Sequence, residues 1–376
     1  MFDVAIVGAG PAGTTAALRL ARHGLKVALV EKETLPRYKT CGGAVVARGL
    51  PLLPPEIQTV FERRCARAEL HLLDADLHYS ATRDSPLMAM TMRDRLDHVL
   101  AATAVAAGAE LRAPCRVTDV RPEKHHVRLD CEAGSVRAAL VIAADGATGT
   151  VARLAGWRDG RHLIPALEYE VHVDDLTLEH FSDPRFDVGT VPSGYAWVFP
   201  KAGHLSVGVL TTHRGSVNLR RHLEEYLRVI GLAPRLVERH GFVIPVRPRA
   251  EPLARGRVLL VGDAAGLADP VTAEGISLAA RTGGLAADAI IAGGLDPARI
   301  RAAYHAALRP LHTELRLARV FARLLYDYPR ARTWLFRRVG QRLVEAMTDV
   351  FLGARTYRRS LAGLAPALAL PSSTRS

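Results

Sequence analysis

Val4-Ala-Ile-Val-Gly8-Ala-Gly10-Pro-Ala-Gly13 opens the chain, and Glu31 closes the unit it begins. The run from Phe2 to Val7 is β-branched and apolar, as a buried parallel strand requires. Gly8 allows a tight turn, Gly10 lets the backbone approach a pyrophosphate, and Gly13 lets the next helix pack closely on the strand. That helix is expected over 12–23, with the pyrophosphate at its N-terminus, where free N–H groups and the dipole favour an anion. Gly24 ends it, 25–30 forms a second strand, and Glu31 falls at its tip, placed to bind ribose hydroxyls. A chance glycine loop explains the glycines but not the strand, helix, second strand and acid that accompany them. An acid at this point favours an adenosine with a free 2′-hydroxyl, as in FAD or NAD.

A second stretch separates those two cofactors. Val258-Leu-Leu-Val-Gly262-Asp263-Ala-Ala-Gly266 runs on into Asp269-Pro270-Val-Thr-Ala-Glu274-Gly275-Ile276. Residues 257–261 read as another buried strand, with Gly262-Asp263 at its C-terminal end, where such sheets bind ligands. A carboxylate there suits a hydroxyl of a ribityl chain. A helix is expected to open at Asp269 or Pro270, its first turn carrying Glu274, Gly275 and Ile276. Free N–H groups at that terminus can face the pyrimidine edge of a flavin and stabilise negative charge on the reduced ring. An ordinary βα junction with a capping Asp is the plainer alternative. Taken together, the two stretches point to one FAD held from both ends by a discontinuous domain.

The chain has 376 residues and 49% hydrophobic content, enough for a substantial core in two lobes plus an extension. Cys41, Cys65, Cys115 and Cys131 show no paired spacing and read as reduced thiols, with no disulfide frame and no metal site. The sequence enters its first strand at once, which leaves no room for a signal peptide, and no apolar run approaches the ~18 residues of a membrane span. A cytoplasmic protein is expected.

Charge is unevenly spread. Residues 301–376 hold 14 Arg, no Lys and 4 acids, which is +10 of the net +12. Leu335, Val339, Leu343, Met347 and Val350 recur at helical spacing beside Arg337, Arg338 and Arg342. Such a helix suits peripheral contact with an anionic membrane, and equally a solvated cap packed on its own core. Nucleic acid is disfavoured, because no recognition motif accompanies the charge.

Between the two stretches, Arg93-Asp94-Arg95-Leu96-Asp97 precedes an Ala-rich helix ending near Gly108, and 110–120 follows as strand. Leu140-Val-Ile-Ala-Ala-Asp145-Gly146 is a further buried strand with an Asp-Gly turn. Strand-like runs from about 160 to 245 read as a separate β-rich lobe. The expected fold is α/β: a discontinuous Rossmann-like FAD-binding domain (1–160 and 246–296), an inserted β-rich substrate domain (161–245) and a basic helical C-terminal region (297–376).

The order GxGxxG, Arg37-Tyr-Lys39-Thr-Cys41-Gly42-Gly43, Arg93, Asp145-Gly146, Gly194-Tyr195-Ala-Trp197-Val-Phe199-Pro200 and Gly262-Asp263 resembles the geranylgeranyl reductase family. These flavoproteins share the aromatic-hydroxylase scaffold, and the resemblance covers roughly 1–290. The Lys-x-Cys-Gly-Gly and Tyr-x-Trp-x-Phe-Pro elements are its most specific parts. The family reduces carbon–carbon double bonds of polyprenyl chains on prenyl diphosphates, quinones, pigments or lipids. The resemblance therefore implies FAD, NAD(P)H as transient donor, and a polyprenyl-chain substrate. By the same resemblance Gly8, Gly10, Ala12, Gly13 and Glu31 belong to the adenosine and pyrophosphate end. Cys41, Gly42 and Gly43 match a loop beside the isoalloxazine, Arg93 and Val117 further cofactor contacts, and Asp263, Gly275 and Ile276 the ribityl and pyrimidine contacts. One departure stands out: the family shows Gly-Glu-Gly-Ile where this chain has Ala273-Glu274-Gly275-Ile276. If that position needs φ > 0, Ala is strained.

Alternation puts Tyr195, Trp197 and Phe199 on one strand face, a wide apolar wall for a hydrocarbon; filling the core between lobes is the plainer use of such rings. Cys41, Tyr195 and Trp197 are the catalytic candidates. Reducing an isolated prenyl double bond needs hydride at one carbon and a proton at the other, in a dry site with an acid. Cys41, Tyr195 and an ordered water are the candidates for that acid. An aromatic monooxygenase, a halogenase (whose strand carries two tryptophans where Tyr195 and Trp197 stand here) and a non-redox cyclase are the rival readings.

Overall fold

The computed structural model describes residues 1–368 except 133, 159 and 161. Arg375 of the basic segment therefore lies outside the described residues. Phe2–Val7 is the central strand of the first sheet, flanked in parallel by Val27–Val30 and Gly134–Ala143. Glu110–Arg112 extends one side and Val258–Leu260 the other, both parallel to their neighbours. Every residue of Val27–Val30 and Val258–Leu260 is buried, which accounts for their continuous apolar sequence. The helices Pro11–Arg22 and Ile276–Gly293 pack against each other over this sheet, so both flavin signatures meet at one edge although they lie far apart in sequence.

A second, seven-stranded sheet runs in the order Leu236–Pro245, Leu163–His172, Leu205–Thr211, Gly194–Pro200, Arg185–Val188, Arg67–Leu72, Leu77–Thr82. Its last two strands come from well before residue 161, so the 161–245 segment does not complete its own sheet. Between them and the first domain, Ala44–Val46, Met88–Thr91 and Phe61–Cys65 form a three-stranded sheet. The period-2 pattern of 67–82 is weak, with mixed exposure along both strands, which is why the sequence does not announce this hairpin.

Three element expectations change. The helix expected after Arg93-Asp94-Arg95 begins at Arg93 itself and runs to Ala106. The 110–120 strand is two, Glu110–Arg112 and Val117–Pro122, with the Ala113-Pro-Cys-Arg116 segment breaking the ladder at Pro114, which has no N–H to give. The helix expected from Asp269 starts only at Ile276. Asp269 instead accepts bonds from the N–H groups of Val271 (2.9 Å) and Thr272 (3.3 Å), and Ala273 sits at φ +55°, which no helix continues through.

Beyond the second signature, Pro297–Asp327, Pro329–Leu352 and Tyr357–Leu368 form the helical C-terminal region. The stripe of Leu335, Val339, Leu343 and Val350 is buried in one apolar cluster with Tyr195, Trp197 and Phe199, and Met347 packs at its margin. The stripe is thus consumed by the protein's own core and is not free for insertion into lipid. Arg337, Arg338 and Arg342 remain exposed on the opposite side. Among the described residues no helix is long and apolar enough to cross a membrane.

Candidate active site

A cavity of about 450 Å³ lies between the two sheets, and nearly every expected site residue lines it: Gly8, Gly10, Ala12, Glu31, Cys41, Gly42, Gly43, Arg93, Val117, Tyr195, Trp197, Asp263, Gly275 and Ile276. Gly13 is the exception. It stands one layer back, where an added Cβ would come within 1.9 Å of the Gly8 carbonyl oxygen, so its part is to let the helix close on the turn. Glu31 is buried at the end of its strand and accepts a 2.9 Å bond from the Ala9 N–H, fixing the glycine turn as well as facing the cavity.

An ion network not foreseen from sequence underlies this end. Asp97 is fully buried and accepts two 2.8 Å bonds from Arg93 and one of 3.0 Å from Arg37, whose other terminal nitrogen lies 3.4 Å from Glu31. Burial opposes the charge on Arg93, but Asp97 outweighs it and holds the guanidinium above its ordinary range. Arg93 therefore reaches the cavity as a fixed cation. Its i, i+4 spacing to Asp97 at a helix start was the available signal.

At the other end Asp263 is half-buried facing the cavity, and desolvation there raises its pKa against the opposing pull of Lys39 and Arg93. Lys39 sits with its ammonium 3.0 Å from the centre of the Phe242 ring. Burial and then Arg93 lower its pKa to about 8, with Asp263 and Cys41 pulling the other way. The following turn is held by side chains: the Tyr357 hydroxyl lies 2.9 Å from both Asp269 carboxylate oxygens, to which it donates its single proton, and Asp269 lies 3.3 Å from Arg48. Ala273 takes a left-handed conformation (φ +55°), the strain foreseen where the family has glycine.

The three wall aromatics stand as alternation requires, with Tyr195–Trp197 and Trp197–Phe199 ring centres 6.1 and 6.3 Å apart. Their polar tips are engaged. The Tyr195 hydroxyl donates to the Thr272 carbonyl at 2.5 Å, and burial raises its pKa, so this group anchors the 269–275 turn and has no proton free for substrate. Trp197 Nε1 donates to Ser206 Oγ at 3.3 Å, and Ser206 donates in turn to Glu168 at 3.1 Å. Cys41 is half-buried in the cavity wall, its sulfur accepting from the Gly43 N–H at 3.4 Å. Lys201, wholly buried, donates to the Gly42 (2.7 Å) and Thr91 (2.8 Å) carbonyls and so fixes the Cys41-Gly42-Gly43 loop.

A second, almost wholly apolar cavity of about 70 Å³ shares Phe186, Tyr195, Thr272 and Phe351 with the first and is closed by Leu325, Phe336 and Leu343 of the C-terminal helices.

The FAD binding domain family model matches residues 1–292. Over 324 residues the chain is 33% identical to digeranylgeranylglycerophospholipid reductase 2 of Methanothermobacter thermautotrophicus, covering 78% of this chain and 80% of that one. The chain belongs to the FAD-dependent geranylgeranyl reductase family. A geranylgeranyl bacteriochlorophyll reductase-like protein of Thermoplasma acidophilum shares the fold over 98% of this chain and 99% of its own, with TM-score 0.79 and 23% identity. A flavin-dependent brominase does so over 97% and 98%, with TM-score 0.76 and 20% identity, so the scaffold itself is common to reductive and halogenating enzymes. The glycine turn, Asp263 in the cavity wall and the Gly275-Ile276 helix start all fit FAD, and the chain is a flavoprotein oxidoreductase.

Proposed function

We propose that this protein reduces carbon–carbon double bonds of a polyprenyl chain, with NAD(P)H as the electron donor through FAD. One observation carries the reading: the flavin cradle and an aromatic wall line a single cavity, and a smaller apolar recess under the C-terminal helices adjoins it across Phe186, Tyr195 and Phe351. A hydrocarbon tail fits that recess, whereas a small polar aromatic would leave it empty. Bound FAD would supply hydride from the cavity's cradle side. The chain's own part is to exclude water with Tyr195, Trp197 and Phe199, to hold the cofactor loop through Lys201, and to keep Cys41 at the junction of cradle and wall. Tyr195 serves the turn and not the proton transfer. Cys41 and Trp197 are the proposed contacts with the reacting segment.

The single tryptophan in Tyr195-Ala-Trp197 favours reduction over halogenation on the shared scaffold. We infer also a cytoplasmic enzyme meeting lipid-dissolved substrate at an anionic surface through Arg337, Arg338 and Arg342, by charge alone, since the neighbouring apolar stripe is internal. The test is anaerobic incubation of reduced enzyme with prenyl diphosphates, prenyl quinones, prenylated pigments and prenyl glycerophospholipids. Product heavier by two hydrogens per bond supports the reading. A gain of one oxygen atom in air, or unchanged mass, overturns it.

A further inference from the structure

The cavity needs an acid, and of the two side chains expected to supply it Tyr195 commits its hydroxyl to the Thr272 carbonyl, which leaves Cys41 at the cavity wall. Beside the aromatic wall, on the same face of the sheet, lies an unexpected group of ionisable side chains. Leu163–His172 turns Ala166, Glu168 and Glu170 to the wall side, while Leu167, Tyr169 and Val171 face the opposite layer. Across the sheet, Glu168 pairs with Gly208 and Gly208 with Trp197, so the carboxyl and the indole lie on one row with no side chain between them. Glu168 is 2% exposed to solvent, yet it lines the cavity. Glu170 lies on the next row with Ser206 and Phe199, and its carboxylate is 3.1 Å from His204 Nε2. His204 is partly exposed and its ring is 5.3 Å from that of the more exposed His172.

We propose that Glu168 is the acid that protonates the substrate double bond, and that Glu170 and His204 form the path by which it regains its proton from solvent. The proposal rests on the reductase reading. In the step, bound reduced FAD would supply hydride to one alkene carbon and would itself be oxidised by two electrons. The Glu168 O–H bond breaks, its proton forms a C–H bond at the other carbon, and the carboxylate that remains is reprotonated through Glu170. Ser206 and Trp197 orient the carboxyl through the 3.1 and 3.3 Å bonds described above.

The surroundings favour a neutral Glu168 beside an ionised Glu170. Burial, and next the neighbouring Glu170, push the Glu168 carboxyl up, with Lys201 and Ser206 opposing. Burial acts on Glu170 in the same sense, but His204 and Lys201 outweigh it and hold that carboxyl low. The two carboxyl groups act on each other electrostatically and are pushed in opposite directions, so the proton resides on Glu168 while Glu170 is ionised. The adjoining strand adds Glu238, Arg239 and His240, and the adjoining loop Arg37, Tyr38, Lys39 and Cys41, with the Tyr38 and His240 rings tilted against each other at 4.2 Å.

The experiment uses FAD-loaded enzyme reduced with dithionite and mixed anaerobically with a prenyl substrate that the parent turns over. Flavin reoxidation by the substrate should slow roughly 10²–10⁴-fold in Glu168→Gln, the usual contribution of a general acid. FAD content and reoxidation by oxygen should stay at the parent values. His204→Gln, at the solvent end, should leave the first turnover fast and slow the later ones, with a larger solvent deuterium effect. Independently of any activity, infrared difference spectra at neutral pH should show the C=O stretch of a protonated carboxyl, shifted in D₂O and missing in Glu168→Gln. Prenyl reduction by Glu168→Gln at the parent rate, or an unchanged carboxyl band in that variant, would overturn the proposal. Should the parent reduce no prenyl compound, the reductase reading fails by itself, and the infrared band alone decides whether Glu168 holds a proton.

Discussion

Replacing Gly208 by Ala probes the row that joins Glu168 to the aromatic wall. Gly208 sits mid-strand between Trp197 and Glu168, and a Cβ there would lie 2.1 Å from Trp197 Cζ2 and 2.4 Å from Cη2. Carbon atoms pack at roughly 3.5–4.0 Å, so the overlap exceeds an ångström. Both backbones are fixed by the sheet ladder, and the strain falls on the indole, which must swing away from Ser206 and give up its 3.3 Å bond. Overpacking costs about 1–3 kcal/mol and a lost hydrogen bond about 0.5–1.5 kcal/mol, which together make about 1.5–4.5 kcal/mol. Urea unfolding at saturating FAD should show a lower midpoint with an unchanged slope. Trp197→Phe removes the overlapping part of the ring, so the double variant should be less unstable than the two single effects added, by about 1–2 kcal/mol of coupling. Additivity within about 0.5 kcal/mol, or a Gly208→Ala protein as stable as the parent, would refute this account of the packing.

Asp263→Ala removes a charged acceptor from the ribityl end, worth about 1.5–3 kcal/mol, and equilibrium dialysis should show FAD affinity reduced roughly tenfold or more. Trp197→Ala should lower prenyl turnover far more than flavin reduction by NAD(P)H, as read by stopped-flow absorbance; equal losses in both would remove Trp197 from the substrate wall. Glu168→Gln should change the pH dependence of stability. The parent carboxyl is raised from 4.5 to about 8 on folding, so its native state keeps a proton that the unfolded chain gives up across that window. Parent stability should fall by up to about 1.4 kcal/mol per pH unit there, the fall should be absent in Glu168→Gln, and urea midpoints from acid to neutral pH would show the two curves diverging. Arg337→Ala/Arg338→Ala/Arg342→Ala should reduce sedimentation with anionic vesicles at low salt without altering binding to neutral ones; unchanged sedimentation would return these side chains to an ordinary solvated surface.

The sequence alone determined the FAD cradle, because its requirements are local. Turn, close approach and helix start are set by Gly8, Gly10 and Gly13 within a few residues, and Glu31 and Asp263 sit at strand ends where topology leaves little choice. Strand alternation likewise put Tyr195, Trp197 and Phe199 on one face without reference to any partner. Even the strain at Ala273 was legible, since a departure from glycine signals the backbone angle found there. What the tertiary structure decided is where each polar tip goes. Thr272 is 77 residues from Tyr195, and no local pattern says that its carbonyl takes the hydroxyl proton. The apolar stripe at 335–350 has the same period whether it meets lipid or Trp197, and only packing chose the latter. Glu168 and Glu170 stand in a strand-like run and drew no functional reading, because the sequence does not say that either carboxyl is buried. Their meaning depended on Gly208, Ser206, His204 and Lys201 arriving from other strands, because the charge state of a buried carboxyl is fixed by neighbours in space and not by neighbours in sequence.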